Sequence, residues 1–268
     1  MSFNLKGQLT ALLLAFACVA LASSRPAQAA YSLGYGELVR QDFSDCGNNN
    51  VSVSGDYSRV GGAVTIVQTS TGATTVIVKI TNGTPNTGYH FFWKCMFWLG
   101  QVQTDASGTG AASFTLQTAV GQTFTFDMYP DGAPLGNKFQ SVRITPTIAA
   151  RVGGGSLIRQ DQSDCDNSDV TASNPSTIGG NVTLVQNVSG VTAALVQITG
   201  GVPSVTYDFY WKCRLWVGRV QTDATGAGTA ALMFYTVAGQ TLAFDTYPMN
   251  GNAPGNVLQS VPVTPAAY

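Results

Sequence analysis

Two matching stretches hold most of the side chains with chemical potential: Tyr89-His-Phe-Phe-Trp-Lys-Cys95 and Tyr207-Asp-Phe-Tyr-Trp-Lys-Cys213. Along a strand, alternate residues point to opposite faces. Tyr89, Phe91, Trp93 and Cys95 then share one face, while His90, Phe92, Lys94 and Met96 share the other. The copy sets Tyr207, Phe209, Trp211 and Cys213 against Asp208, Tyr210, Lys212 and Arg214. The apolar sets are predicted to face a core and the mixed sets to face solvent. A hairpin turn near Lys94 to Phe97 resets the alternation, so Trp98 and Trp216 are open to either face. Phe92 with Trp98, and Tyr210 with Trp216, are candidate platforms for stacking sugar rings or another apolar ligand, with Lys94 and Lys212 as nearby donors. The competing reading gives the same rings to a second sheet, a domain interface or the turn.

A second group is acidic. Asp161, Asp164, Asp166 and Asp169 alternate with Asn and Ser around Cys165, and calcium takes six to eight such oxygens. Their spacing is not that of an EF-hand loop, and Gly47 and Asn50 stand where Asp166 and Asp169 have their counterparts. Turn capping is the alternative use. Arg40 with Asp127, and Arg159 with Asp245, are expected to form partly buried ion pairs. Nucleophilic catalysis is disfavoured, because the sole histidine, His90, is matched by Asp208 in the copy. No zinc-type cluster, phosphate loop or nucleotide fingerprint occurs, and no cofactor is expected beyond calcium at the acidic cluster.

Cys46, Cys95, Cys165 and Cys213 follow a first segment that reads as a secretory signal: Lys6, an apolar run from Leu12 to Leu21, and Ala27-Gln28-Ala29 as the cleavage site. An even cysteine count in an exported chain reads as disulfides, and duplication selects Cys46 with Cys95 and Cys165 with Cys213. Beyond the signal no apolar run approaches the ~20 residues of a membrane-spanning helix. Lys6 and Arg25 are the only basic residues of the first 29, so the remainder has 11 Lys or Arg against 14 Asp or Glu, a net charge of −3. That balance excludes a strongly cationic nucleic-acid binder.

These residues need a scaffold, and the chain supplies it twice. Cys46 and Cys165 are 119 residues apart, and Cys95 and Cys213 are 118 apart. Blocks such as Gly100-Gln-Val-Gln-Thr-Asp-Ala106 and Gly218-Arg-Val-Gln-Thr-Asp-Ala224 keep that offset, a period long enough for tandem domains and too long for a solenoid. Short runs rich in Val, Ile, Thr and aromatics, one of them at 50–57, are separated by Gly, Asn, Asp and Pro, as in strands. The fold class is therefore all-β: two tandem antiparallel β-sandwich domains with one disulfide each. The predicted organisation is a signal at 1–29, a first repeat at 30–146, a Gly-rich and mobile linker at 147–156, and a second repeat at 157–268.

Thr104-Asp-Ala-Ser-Gly-Thr-Gly110 and Thr222-Asp-Ala-Thr-Gly-Ala-Gly228 are turn sequences, each preceded by an aromatic-rich strand. On these features the unit resembles the broad class of exported bacterial immunoglobulin-like or fibronectin-III-like β-sandwich repeats. The tryptophans lie two residues before the second cysteine of each pair, unlike true immunoglobulin domains. The expectation is an exported, non-catalytic structural or adhesive interaction protein of the cell surface, periplasm or extracellular space. The alternative is a pair of carbohydrate-binding modules using the outward aromatics. Protein, cell-surface glycan or further copies of the chain are the expected partners.

Overall fold

The computed structural model describes residues 30–41, 44–132, 138–149, 151–160, 164–249 and 256–267. The proposed signal segment lies outside them. No helix among the described residues is long and apolar enough to cross a membrane.

The first unit contains β1 (Tyr31–Arg40), β2 (Val60–Thr69), β3 (Ala73–Ile80), β4 (Gly88–Trp93), β5 (Phe97–Gln103), β6 (Gly110–Gln117), β7 (Phe126–Pro130), β8 (Phe139–Ser141) and β9 (Thr147–Ile148). They form one antiparallel sheet in the order β5-β4-β7-β8-β1-β2-β3-β6, with β9 also on β1. The second unit repeats this order with β10 (Arg151–Arg159), β11 (Ile178–Gln186), β12 (Val191–Ile198), β13 (Thr206–Trp211), β14 (Leu215–Gln221), β15 (Gly228–Tyr235), β16 (Phe244–Pro248), β17 (Leu258–Ser260) and β18 (Ala266–Ala267). Equal topology at the sequence offset establishes the duplication in three dimensions.

Each sheet curls around its own apolar filling. Alternation places Tyr89, Phe91 and Trp93 inside with Val64, Ile66, Val76 and Val78, and the rings of Phe91 and Phe126 stack at 5.1 Å. A bulge between Phe91 and Phe92 lets the β4–β5 ladder bend. Beyond it, Gly100 gives room for Phe114 of β6, whose Cε1 would lie 2.3 Å from a Cβ at that position. The two ends of the sheet are thereby drawn together. Cys46–Cys95 and Cys165–Cys213 are both formed, with Cα atoms 5.6 Å apart in each. Each closes a loop of about 50 residues and contributes about 4 kcal/mol on the chain-entropy model.

Two expectations are corrected. The run at 50–57 is not a strand, because Ser54 and Gly55 take positive φ and Asp56 accepts from the Ser58 amide, which builds a turn before a short 3-10 segment. The 147–156 stretch is not a free linker. Thr147–Ile148 pairs with β1, the Ala149 amide donates to the Tyr31 carbonyl, and Gly153, Gly154 and Gly155 lie within β10. Gly153 and Gly155 are there for close approach. A Cβ on Gly155 would sit 2.7 Å from Val261 Cγ2, and one on Gly153 would sit 2.9 Å from the Thr264 carbonyl. Gly34 and Gly36 make the same room for Ile144 in the first unit.

The units also share a third apolar cluster. Leu33, Val67 and Ile77 of the first unit pack with Val152, Val185 and Ala193 of the second. Strand β2 is consequently buried on both faces, with Val64 and Ile66 toward its own core and Val67 toward the neighbouring unit. Tyr35 and Tyr235 meet edge to face across the same boundary at 6.1 Å.

Candidate functional site

The outer face of the β5-β4-β7 segment brings together three elements: exposed rings, a hairpin tip and a buried lysine. In the first unit Phe92 stands opposite Trp98, and the Tyr129 ring meets Phe92 edge-on at 5.7 Å. Tyr129 is capped by Lys138, whose Nζ lies 4.3 Å from the ring centroid. In the second, Tyr210 stands opposite Trp216 and Tyr247 meets Tyr210 at 5.8 Å. Trp98 is 56% exposed and Trp216 is 44% exposed. The tryptophans therefore face solvent, as the platform reading requires. The tips before them, Met96 and Phe97 in one copy and Leu215 in the other, are exposed as well.

Polar surroundings distinguish the copies. Asp208 accepts from Trp216 Nε1 at 2.9 Å and from Arg219 Nε at 3.0 Å, and the Arg219 guanidinium lies over the indole. An open depression of about 630 Å³ beside it is lined by Tyr210, Arg214, Trp216, Tyr247 and Met249. In the first unit, His90 occupies the place of Asp208 and faces Asp131, with Nε2 2.6 Å from Oδ1.

Lys94 and Lys212 are not surface donors. They are 7% and 8% exposed, because the chain turns right after the strand. The Lys94 amide donates to the Thr125 carbonyl, the Met96 amide closes the turn on the Trp93 carbonyl, and Cys95 takes φ +57°. The lysine stem then runs beneath the loop that carries Cys46. There Nζ donates to Asn48 Oδ1 at 2.6 Å and to the Ser44 carbonyl at 3.3 Å, and lies 3.5 Å from Asp127 Oδ1. With the Gln140 amide oriented so that its nitrogen meets the Gln41 carbonyl, its oxygen lies 2.6 Å from the same Nζ. In the copy, Lys212 Nζ donates to Asn167 Oδ1 at 2.8 Å and lies 3.5 Å from Asp245 Oδ1.

The ion-pair expectation is corrected accordingly: Asp127 and Asp245 pair with the lysines, not with Arg40 and Arg159. Arg40 donates to the Asn82 carbonyl and packs over Phe139, while Arg159 donates to the Gly200 carbonyl. Burial pushes the Lys94 amine down from its ordinary value, against the opposing pull of Asp127. The Tyr129 hydroxyl donates to Asp127 Oδ2 at 2.8 Å, and the Tyr247 hydroxyl donates to Asp245 Oδ2 at 2.8 Å. Burial, with the neighbouring Asp245 carboxylate, pushes Tyr247 up to about 12.

The acidic cluster serves its turn. Asp164 accepts from the Ser168 amide at 3.0 Å and from the Ser168 hydroxyl, which holds its carboxyl below the ordinary range. Asp166 lies in that turn and Asp169 in the next one, whereas Asp161 lies outside the described residues. Among the described residues no three His, Cys, Asp or Glu side chains are grouped to hold a metal ion.

Sequence reasoning missed Asn48 and Asn167, which are 1% and 0% exposed. Each donates through Nδ2 to two backbone carbonyls, Phe126 and Ser141 in one unit and Phe244 and Ser260 in the other. Their signal was an asparagine two residues after the first cysteine in both copies. Compared with protein-family models, with curated proteins and with solved structures, the chain finds no match in any of the three.

Proposed function

We propose that the chain is an exported, non-catalytic interaction protein, structural or adhesive, that docks through the outer aromatic strips of its two units. One observation carries the reading: a solvent-facing Trp is paired with a neighbouring aromatic ring in both copies, Trp98 with Phe92 and Trp216 with Tyr210, the tryptophans at 56% and 44% exposure. Large rings left in water beside apolar tips are typical of the anchors that dominate protein interfaces. Two formed disulfides support an oxidising destination such as the periplasm, cell surface or extracellular space. Two strips on one chain add avidity where both engage.

A carbohydrate partner is the second reading, favoured by the polar frame that Asp208 and Arg219 build around Trp216 beside the open depression. Immobilised mature protein exposed to cell-envelope and culture-medium fractions tests docking, with the Trp98→Ala/Trp216→Ala variant as control. A protein or glycan held by the wild type and lost by the variant supports the proposal. Equal retention by both removes the strips from it. Titration of tryptophan fluorescence with a polysaccharide panel separates the two readings: a saturable change supports sugar stacking, and none across the panel leaves only the protein partner.

A further inference from the structure

We propose that Lys94 and Asn48 in the first unit, and Lys212 and Asn167 in the second, join side chain to side chain in an intramolecular isopeptide bond. The reacting groups already touch, with Nζ 2.6 Å from Asn48 Oδ1 and 2.8 Å from Asn167 Oδ1. All four residues are buried. The contact recurs at positions related by the duplication, with the asparagines 119 and the lysines 118 residues apart. A carboxylate stands beside each amine, Asp127 and Asp245, both at 3.5 Å.

Three features of the first unit favour attack. The amine must be neutral to act as a nucleophile, and burial drives Lys94 toward the free base. Nζ donates to Asn48 Oδ1, the Ser44 carbonyl and Gln140 Oε1; loss of the proton shared with Asn48 leaves two N–H donors for Ser44 and Gln140 and frees the lone pair on the Asn48 side. The two backbones are fixed, since Asn48 follows Cys46 by two residues and Lys94 immediately precedes Cys95 in the disulfide. Groups held together in this way react as one molecule, with effective molarities far above those of free reactants.

The step balances without a co-reactant. The Nζ lone pair forms a bond to Asn48 Cγ, and Asp127 takes a proton from the attacking nitrogen and passes it to Nδ2. Its Oδ1 has no hydrogen-bonded partner and faces the amine, as a proton carrier needs. The Cγ–Nδ2 bond breaks, ammonia leaves, and a secondary amide joins the two side chains. Nothing is oxidised or reduced. The product closes the 48–94 loop, just inside the 46–95 loop of the disulfide, through a bond that thiols do not open.

Intact mass spectrometry of the oxidised mature protein is the test. The expected mass lies below that of the disulfide-bonded chain by one ammonia per unit, about 17 Da each and about 34 Da in total. Lys94→Arg and Lys212→Arg are each expected to restore one ammonia. Digestion after reduction is expected to yield a branched peptide joining Asn48 to Lys94. A wild-type mass with no ammonia loss overturns the proposal, and that reading does not depend on any variant folding. Asp127→Ala keeps both reacting groups and is expected to retain the ammonia of its unit. Loss at the wild-type level in that variant would overturn the role given to the carboxylate.

Discussion

Replacing Lys94 by Met removes the buried Nζ, and with it both its contact to Asp127 and the amide formed from it, while leaving most of the stem. Asp127, 4% exposed, would then keep the Tyr129 hydroxyl and Lys138, whose Nζ is 3.6 Å away, but lose the Lys94 nitrogen at 3.5 Å. Asn48 and Gln140 would each lose a donor as well. Removing one partner of a buried pair costs about 3–5 kcal/mol, mainly because the other charge stays desolvated. The isopeptide bond adds little to that figure, since the neighbouring disulfide already removes the loop entropy. For a unit of roughly this length each kcal/mol is worth about 4 °C, so the first unit is expected to melt on the order of 12–20 °C lower. Calorimetry of the two-unit protein reads this as a split transition, with the second unit nearly unmoved. Lys94→Met/Asp127→Leu, which also removes the carboxylate left without its partner, is expected to recover a large part of the loss. A single transition within 3 °C of wild type would refute the reasoning, because the pair would then be effectively solvated.

Removing Cys46 and Cys95 together by Ser substitution in a Lys94→Arg chain, where no amide closes the neighbouring 48–94 loop, is expected to cost about 4 kcal/mol less any strain relieved, measured by urea unfolding. Acid should destabilise both units through their turns. Hydrogen bonds lower the folded values of Asp45, Asp105, Asp164 and Asp223 below 3.8, so the unfolded chain binds more protons beneath that pH. Their contribution is full above 3.8 and is lost as pH falls through the folded values; melting between pH 5 and pH 2 checks it, and Asp105→Asn/Asp223→Asn should flatten the fall. Ile77→Asp places a charge in the cluster between the units, where Ile77 is 3% exposed. A larger radius of gyration by small-angle X-ray scattering is expected, and an unchanged profile would argue against a packed interface.

Much of the fold was legible because duplication separates signal from noise. Tyr89, Phe91 and Trp93 recur with their copies in strict alternation, and all six line the two cores. The cysteine pairing followed from the need for two self-sufficient units. Lys94 was misread because period-two logic stops at the turn, where Cys95 and Cys213 take positive φ and the lysine stems are redirected beneath a loop. The Gly153 to Gly155 run was misread for a related reason. Composition cannot separate a mobile glycine from ones such as Gly153 and Gly155, which let residues 261–265 lie against a strand. Of the candidate site, the aromatic pairs were legible but the face taken by Trp98 and Trp216 was not, because the hairpin turn resets the alternation; the buried network was not legible either, since Asn48, Gln140 and Asp127 meet Lys94 only through contacts distant in sequence.

The docking claim rests on the solvent-facing tryptophans. The most direct measurement is the binding of envelope and medium fractions to immobilised wild type and to Trp98→Ala/Trp216→Ala, with near-ultraviolet circular dichroism confirming that both are folded. A partner retained by the wild type and at least tenfold depleted on the variant, about 1.4 kcal/mol of lost affinity, is the expected result. Equal retention by a folded variant would contradict the account.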